Sequence, residues 1–596
     1  MGVAPAEFPP PVDPAEHYVT EPTDPEEERI EVGVAIVGGG PAGLACAIKT
    51  MQLLEDERIE VGVAIVGGGP AGLACAVKLM QLLENEPELT EKLGEVPVAV
   101  IEKGQVTGAH LLSGANMRPS AMEELFPDLD RSEWPVYQEV TKDAVYLLTK
   151  KRALPLKPMP PNFKNHGNYV TSVSKLGRFL ADKAEEAGVY ILSETAATKL
   201  LVEDRVVKGI RSGDRGRGKD GEELGNFEPG SDVVAKATVL AEGTVGHLTY
   251  AAYDYFDMHG ADPMRWELGV KEVWEVKEPL DRVIHTMGWP LRKSPRFNEF
   301  GGSFIYPMGE DKICIGMVCG LDYTDATFSV HDVLQLLKTH PFVHKLIEGG
   351  KRVAWGAKTI PSGGYFAMPK RLAVPGMVVA GDAASMVNIP TLKGVHYAMH
   401  AGIYAAETIV DTLKKDIESV NFEAYDEKVH NSVIEKDIYE SRNMRQPFSK
   451  GFFVGGALAS AMTVTKGAFP GGHFKQEHDS EVAMSIDRAG DKYPKADNEL
   501  TFNKLDSVFL SGNATRDDAP NHVRIQTHVP REIAQTWVSM CPAQVYEIPD
   551  DQLASDAAEV DVHVTASNCV QCGAITAKGG RLTLPEGGDG PLYQET

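Results

Sequence analysis

The chain has 596 residues, of which 43% are hydrophobic, and its formal net charge is −26. A chain of this length exceeds one hydrophobic core, so we expect about two to four globular domains. The excess of acid excludes a nucleic-acid-binding function, because the phosphates would be repelled, and no apolar run reaches the roughly 18 residues of a membrane-spanning helix.

The N-terminal segment and the cysteines bear on where the protein works. Residues 1–28 are rich in proline and acid, a composition that predicts a disordered tail. The stretch from Met1 to Glu31 lacks the apolar core of a signal peptide and the arginine-rich make-up of a transit peptide. Seven cysteines, an odd and sparse set, indicate a reducing compartment and no disulfide framework.

A short repeat follows the tail. Residues 29–57 recur as residues 58–86 with three differences, and both copies contain the pattern G-x-G-x-x-G. The first copy runs directly into the second, whereas only the second is followed by a strand that ends in an acid, Glu102. We therefore expect the second copy to form the working site and the first to be a duplicated strand-turn-helix segment.

The second copy has the features of a dinucleotide-binding turn. An apolar strand, Val61 to Val66, leads into Gly67, Gly69 and Gly72, and an apolar helix and a second strand that ends at Glu102 follow. The glycines allow a tight turn close to a pyrophosphate, the helix N-terminus stabilises that anion, and the acid accepts hydrogen bonds from a ribose. The acid lies thirty residues past Gly72, later than the usual spacing of about 20. The alternative interpretation is a glycine-rich turn in another kind of α/β protein.

A second candidate nucleotide motif lies much later in the chain. The strand Gly376 to Asp382 ends in Gly381-Asp382, and a mostly helical stretch, 388–413, follows. An acid at a strand end beside a helix suits the ribityl and phosphate groups of a flavin, although an aspartate that caps the helix is the simpler reading. Two nucleotide motifs so far apart favour FAD over NAD, because FAD enzymes divide their site between distant parts of the chain.

Three cysteines near the C-terminus form the candidate metal centre. Cys541 precedes a proline, and Cys569 and Cys572 form C-x-x-C, which resembles an iron–sulfur pattern. A zinc site would more often show four soft ligands or added histidines. A redox-active C-x-x-C is the third reading, but no thioredoxin-like βαβ unit surrounds it.

Several sequence blocks occur in the same order as in a known family. Together they resemble the electron-transfer flavoprotein:ubiquinone oxidoreductase family from about residue 60 to the C-terminus. The blocks include Gly67–Gly72, Gly108–Gly114, Asn165–Tyr169, Gly288–Leu291, Gly301–Phe304, Cys541–Ala543 and Pro585–Gly588.

The resemblance implies an α/β (mixed α+β) fold with three domains. It assigns a Rossmann-like FAD-binding domain to 58–265 and 366–440 and an inserted β-rich quinone-binding domain to 266–365. A membrane-surface helical segment occupies 441–500, and a C-terminal ferredoxin-like iron–sulfur domain occupies 501–596. The apolar run Phe452 to Val464 lies in the membrane segment, and its alternative reading is a buried core helix.

The resemblance also assigns roles to residues. Gly67, Gly69, Gly72 and Glu102 would hold the ADP half of FAD, with Gly381 and Asp382 near the flavin, and Gly301 and Gly302 would lie at the quinone. Thr107 to Pro127 and Met386 to Ala405 match segments that enter the bilayer surface. Cys541, Cys569 and Cys572 match three cluster ligands. The fourth position is occupied by Ile575 or, in an alternative alignment, by Ala566, so the cluster is [4Fe-4S] with another ligand, [3Fe-4S], or lost.

The implied function is electron transfer. A monotopic membrane enzyme would take electrons from reduced electron-transfer flavoprotein and pass them through an iron–sulfur cluster and FAD to ubiquinone, with no catalytic acid–base residue required. The lack of a transit peptide favours the cytoplasmic face of a bacterial inner membrane over a mitochondrion. The alternatives are an FAD oxidoreductase of the geranylgeranyl reductase or hydroxylase type and a non-catalytic flavoprotein scaffold.

Overall fold

The computed structural model describes residues 2–12, 17–23, 58–114, 116–486 and 493–596. The first copy of the repeat, residues 29–57, lies outside this part of the chain, so its predicted role stays a prediction. The second copy forms the centre of the larger sheet.

The larger sheet has nine strands and is parallel at its centre. The strand Arg58–Val66 lies between Val98–Ile101 and Asp232–Leu240, in parallel register with both. Its apolar run is continuous because both of its faces are covered, as is usual for an inner parallel strand. The other strands of this sheet are Val19–Thr20, Tyr190–Leu192, Ala197–Glu203, Val206–Ser212, Ala373–Val374 and Met377–Val379.

Two long helices cover this sheet. Pro70–Leu83 packs against Val395–Leu413, and a Cβ atom on Gly402 would lie only 2.1 Å from the Ala71 carbonyl oxygen. Glycine at 402 therefore permits the close approach of the two helices. The contact buries the apolar stripe of each helix in the larger hydrophobic core.

Several apolar side chains of the two segments matched to the bilayer surface are buried in the core. Met386 and Met399, within the segment 386–405, are fully buried, as are Met122 and Leu125 in the segment 107–127. The predicted membrane contact is therefore wrong for these side chains, because they are part of the larger hydrophobic core.

The smaller core lies on a seven-stranded sheet. Its spatial order is Lys351–Pro361, Trp266–Glu275, Lys312–Gly320, Gly301–Pro307, Val283–Gly288, Asp143–Leu148 and Ala153–Pro155. The last two strands come from the segment that the sequence assigns to the FAD-binding domain, whose boundaries stay a prediction. The helices Val330–Lys338 and Pro341–Ile347 pack on this sheet.

The C-terminal region is held by short strands and one longer helix. Arg531–Met540 buries Trp537, whose indole nitrogen donates to the Lys578 carbonyl oxygen at 2.7 Å. Three two-stranded ladders surround this helix. Their strands are Val523–Arg524 with Arg581–Leu582, His528–Pro530 with Glu559–Asp561, and Tyr546–Glu547 with His563–Val564.

Much of the N-terminal segment is folded. Val19 and Thr20 pair in parallel with Leu200 and Leu201, and Tyr18 is buried in the larger core. The prediction of a disordered tail is therefore wrong for residues 2–12 and 17–23, which gain order from contacts with distant parts of the chain that composition does not reveal.

One apolar helix is exposed to solvent. Phe452–Val464 carries Phe453 and Val464 with 66% and 85% of their surfaces accessible. Among the described residues, no helix is long and apolar enough to cross a membrane. The predicted alternative of a buried core helix is wrong for this segment.

The remaining elements connect these layers. The helices are Pro87–Lys92, Ser120–Leu125, Val173–Glu186, His247–Phe256, Ala424–His430, Val433–Tyr439, Lys504–Leu510, Asp550–Leu553 and Ala574–Ala577. The strands are Asn116–Met117, Val136–Glu139, Tyr169–Thr171, Arg215–Arg217 and Glu223–Glu228.

Candidate functional site

A cavity of about 280 Å³ lies at the carboxyl ends of the central parallel strands. Such a cleft is where open α/β sheets bind ligands. Of the predicted cofactor residues, Gly67, Gly69, Glu102 and Asp382 line this first cavity. The structure thus brings both predicted nucleotide motifs to one place.

The glycine turn has the conformation that the motif requires. Gly67 has a φ of +109°, and a Cβ there would lie 2.4 Å from the Ala241 carbonyl oxygen. A Cβ on Gly72 would lie 2.1 Å from the Gly67 carbonyl oxygen, whereas one on Gly69 would meet nothing closer than 3.8 Å. The first and third glycines are therefore needed by the turn and the helix, and the second leaves backbone open to the cavity.

The turn leads into the helix N-terminus without a side-chain cap. Gly69 is the N-cap residue of Pro70–Leu83 and carries no side chain that could bond the first-turn N–H groups. Free amides at a helix N-terminus favour an anion, since the helix dipole adds to their attraction. This geometry fits the pyrophosphate of a dinucleotide.

Glu102 is fixed in place at the end of its strand. One carboxylate oxygen accepts a hydrogen bond from the Gly68 amide at 2.8 Å, and the other accepts from the Gly104 amide at 2.7 Å. Each oxygen keeps a further lone pair. The carboxylate can therefore accept ribose hydroxyls while the backbone holds it rigid.

The second motif lies beside the first at the same cavity. Gly381 has a φ of +75°, which favours glycine, and it lies against Ala71 of the first helix. Asp382 lines the cavity, and burial raises the pKa of its carboxyl to about 6, with Lys358 opposing that rise. A buried acid here can accept a polar group of a flavin chain.

A second cavity of about 460 Å³ adjoins the first. Gly301 and Gly302, the two residues predicted to lie at the quinone, are part of its lining. Their Cβ atoms would lie 2.1 Å from the Val318 oxygen and 2.5 Å from the Thr286 oxygen. Both glycines are thus required by the approach of neighbouring strands, and their backbone forms part of the cavity wall.

The two cavities share one wall. Five residues line both of them, and four of these are apolar. The shared residues are Glu267, Phe304, Val318, Ile389 and Leu392. Ligands in the two cavities would be separated by little more than these side chains.

The three predicted ligand cysteines lie together in the smaller core. Backbone amides of Ala543 and Val545 donate to the Cys541 sulfur at 3.4 Å, and that of Gln571 donates to the Cys569 sulfur at 3.4 Å. Such donors stabilise thiolates. Without a metal, burial raises the pKa of the Cys572 thiol to about 12.

No group of three or more His, Cys, Asp or Glu side chains is arranged around a single metal ion in the part of the chain that the structure describes. Ligands of a multi-iron cluster surround several metal atoms and stand further apart. Ile575, at the position of a fourth ligand, is buried in the same hydrophobic core as the three cysteines. The residues present therefore fit an iron–sulfur cluster with three cysteine ligands and do not complete the Cys₄ set of [4Fe-4S].

The cysteine loop is bonded directly to the first cavity. Thr359, which lines that cavity, donates from its amide and hydroxyl to the Cys572 carbonyl oxygen at 2.9 and 2.7 Å. Lys358 and Lys103 donate to the backbone and side-chain oxygens of Gln571 at 3.1 and 2.7 Å. Sequence reasoning missed these three residues, which lie in an ordinary strand and loop and carry no motif.

Two family models match the chain. The model described as "ETF-QO, ubiquinone-binding" matches residues 266–360, and "Electron transfer flavoprotein-ubiquinone oxidoreductase, 4Fe-4S" matches residues 498–594. Curated relatives named electron transfer flavoprotein-ubiquinone oxidoreductase extend the match. The mitochondrial protein of Caenorhabditis elegans is 35% identical over 97% of this chain and 95% of its own. The chain belongs to the electron transfer flavoprotein-ubiquinone oxidoreductase family.

Other relatives and one solved structure agree. The human mitochondrial protein is 35% identical over 97% of this chain and 92% of its own, and the corresponding protein of Acinetobacter baylyi is 34% identical over 95% and 99%. A geranylgeranyl bacteriochlorophyll reductase-like protein of Thermoplasma acidophilum has a TM-score of 0.52 at 19% identity, covering 69% of this chain and 92% of its own. This likeness establishes the fold alone.

These findings confirm the family, the mixed α/β fold class and the oxidoreductase function with a quinone acceptor. The match to the 4Fe-4S model also supports the predicted iron–sulfur cluster. Relatives of this family occur in mitochondria and in a bacterium. The C-terminal match sets the chain apart from the geranylgeranyl reductase alternative, whose representative covers only 69% of it.

Proposed function

We propose that this chain holds FAD in the first cavity and ubiquinone in the second, and that it passes electrons from reduced electron-transfer flavoprotein to the quinone. The observation that carries this proposal is the wall shared by the two cavities. A flavin and a quinone on its two sides would be close enough for direct electron transfer. FAD, when bound, supplies a carrier that exchanges one or two electrons.

The residues of the first cavity would orient the flavin nucleotide. The Gly67–Gly72 turn and the helix N-terminus that follows it suit the pyrophosphate, and Glu102 suits the ribose. Gly381 and Asp382 would contact the flavin end from the opposite side. This proposal is supported by the position of the six predicted residues. Gly67, Gly69, Glu102 and Asp382 line the cavity, and Gly72 and Gly381 allow the backbone conformation around it.

The second cavity suits an apolar ring with a lipid tail. Phe452, Phe453, Ala459 and Thr463 of the exposed apolar helix form part of its lining. A ligand could therefore leave the cavity along this helix. Backbone groups of Gly301 and Gly302 can form hydrogen bonds with the quinone carbonyls, because neither residue has a side chain that would block them.

The exposed helix would lie in the membrane surface. An apolar helix that is accessible over much of its length is typical of interfacial segments. The Lys293 ammonium lies 5.5 Å from the centre of the Phe453 ring, a position from which it can reach lipid headgroups. We propose a peripheral protein of an inner membrane, on the face that holds electron-transfer flavoprotein, which is the cytoplasmic face in a bacterium.

Cys541, Cys569 and Cys572 would ligate the iron–sulfur cluster. Three observations support this assignment. The cysteines are buried in one core, backbone amides donate to two of their sulfurs, and Thr359 of the first cavity donates to the Cys572 carbonyl oxygen. Position 575 is isoleucine, so a fourth thiolate is not available there.

Anaerobic stopped-flow absorption tests the proposal. Purified, flavin-loaded protein is mixed with reduced electron-transfer flavoprotein, and a water-soluble ubiquinone analogue is added afterwards. The flavin absorbance is expected to bleach in the first step and to return in the second with formation of quinol. A preparation whose flavin is reduced but is not reoxidised by quinone would contradict the assignment of the second cavity.

A further inference from the structure

Glu267 is an acidic residue in the wall between the two cavities. It lies in the strand Trp266–Glu275, paired with Gly320 on one side and Ile360 on the other. Its side chain is only 4% exposed, yet it lines both cavities. Among the described residues it is the only titratable one that the two linings share.

The carboxyl of Glu267 is only weakly paired. Its Oε1 atom has no hydrogen-bond partner among the described residues, and the nearest cation is the Nε of Arg445 at 3.8 Å. That Nε also has no hydrogen-bond partner there. Both Nη atoms of Arg445 are occupied by Asp322, at 2.6 and 2.7 Å.

The cations of this cluster are engaged mainly by its other two acids, Asp322 and Asp479. Arg265 donates to Asp322 at 2.8 Å and lies 4.0 Å from Asp479, and Lys578 is attracted to the same two aspartates. Burial raises the pKa of the Glu267 carboxyl to about 7, with Arg445 opposing and the two aspartates adding to the rise. The pKa of Asp479 is also raised to about 7, but that residue lines neither cavity and accepts the Trp266 amide at 2.7 Å.

We propose that Glu267 delivers a proton to the quinone. This inference rests on the proposed function. Reduction of a quinone consumes two electrons, which the enzyme supplies, and two protons. One O–H bond of the quinol forms as the O–H bond of Glu267 breaks, and the carboxylate left behind faces the Arg445 guanidinium. The second proton, and the proton that restores Glu267, come from water.

The geometry favours this residue over its neighbours. A proton donor must reach the quinone cavity and must be able to hold a proton near neutral pH. Glu299 also lines the second cavity, but both of its oxygens are bonded to Arg292. Glu267 combines access with a free oxygen atom.

The variant E267Q keeps the shape and removes the proton. E275Q, at the exposed end of the same strand, is the matched control, and E267D restores a carboxyl. Each flavin-loaded protein is measured in two separate steps from pH 5.5 to 8.5, a range set about the pKa near 7. The steps are flavin reduction by reduced electron-transfer flavoprotein and reoxidation by the ubiquinone analogue.

We expect E267Q to slow reoxidation by about 10- to 100-fold below pH 7, the low end of general-acid effects because water can substitute in part. The wild-type rate should fall as the pH rises through about 7, since the proton donor is then lost. E267Q should lack that transition and E267D should regain it. The loss in E267Q should fall mainly on reoxidation and much less on flavin reduction, and E275Q should match the wild type in both steps.

Two results would overturn the inference. One is an E267Q reoxidation rate equal to that of the wild type across the pH range. The other is an infrared difference spectrum of quinone reduction in which the protonated-carboxyl band persists in E267Q. Failure of the wild-type protein to reduce quinone at all would instead refute the proposed function, so the two failures are distinct.

Discussion

Replacement of Phe453 by serine tests the proposed membrane contact. This side chain is 66% exposed in the apolar helix Phe452–Val464. Full burial of a phenylalanine is favourable by roughly 1.5–3 kcal/mol, so burial of two-thirds of it in lipid contributes about 1–2 kcal/mol. Since 1.4 kcal/mol is a factor of ten, F453S should bind vesicles about 5- to 30-fold more weakly.

The assay is flotation with neutral phosphatidylcholine vesicles. At an anionic surface, the net charge of −26 would repel the protein. Neutral lipid avoids this repulsion, so the assay measures the apolar contribution to vesicle binding. F509S is the matched control, because Phe509 is 84% exposed but lies in the separate helix Lys504–Leu510. It should leave vesicle binding unchanged.

Equal binding of F453S and the wild type would refute this reasoning. A loss in F509S as large as that in F453S would also refute it, because exposed phenylalanine alone would then account for binding. Thermal unfolding of both variants should stay close to wild type, since exposed substitutions alter stability little.

Three further substitutions test the two cofactor sites and one buried ion pair. G72V places side-chain atoms where even a Cβ would be 2.1 Å from the Gly67 oxygen, so purified protein should contain little flavin by absorbance, and normal flavin content would contradict the turn's role. K338M removes the ammonium that bonds both Glu272 carboxylate oxygens at 3.1 and 2.8 Å; urea unfolding at pH 7 should show a loss of about 3 kcal/mol. The pKa of Glu272 is lowered from 4.5 to about 2. Its ionised carboxylate therefore adds to stability above pH 4.5, and this contribution is lost as the pH falls toward 2. A loss of stability in K338M that did not shrink over that range would contradict the role of this ion pair. I575C adds a fourth thiol, and electron paramagnetic resonance should change from an oxidised [3Fe-4S] signal in the wild type to a reduced [4Fe-4S] signal; identical spectra would exclude 575 as the missing corner.

Local pattern was sufficient to predict the nucleotide turn. The apolar strand before Gly67, the glycine spacing and the acid Glu102 are all close in sequence, so their geometry follows from short-range sterics and strand pairing. The cavity confirms that these residues and Asp382 converge. Their assignment to FAD atoms stays a prediction.

Composition could not separate membrane surface from protein core. The segment around Met399 and the helix Phe452–Val464 are both apolar, yet one is buried and the other is exposed. Burial depends on which surfaces the fold brings opposite each helix, and a single apolar run does not encode that. The buried side chains of the first segment are therefore not available to lipid, whereas those of the exposed helix are.

Long-range contacts supply the parts of the site that no motif predicts. Thr359 reaches the Cys572 loop across 213 positions of sequence, and Glu267 is weakly paired because Asp322 engages Arg445. Each of these residues is unremarkable in its own stretch of sequence. Their chemistry arises from neighbours that folding brings together.

The central claim is that a flavin and a quinone occupy adjoining cavities of this chain. Its most direct test is the reoxidation of the enzyme-bound reduced flavin by a ubiquinone analogue under anaerobic conditions, followed by absorption. We predict that the flavin absorbance returns in step with quinol formation and that the rate saturates with quinone concentration, as binding in a cavity requires. Flavin that stays reduced while quinone is in excess would contradict the account.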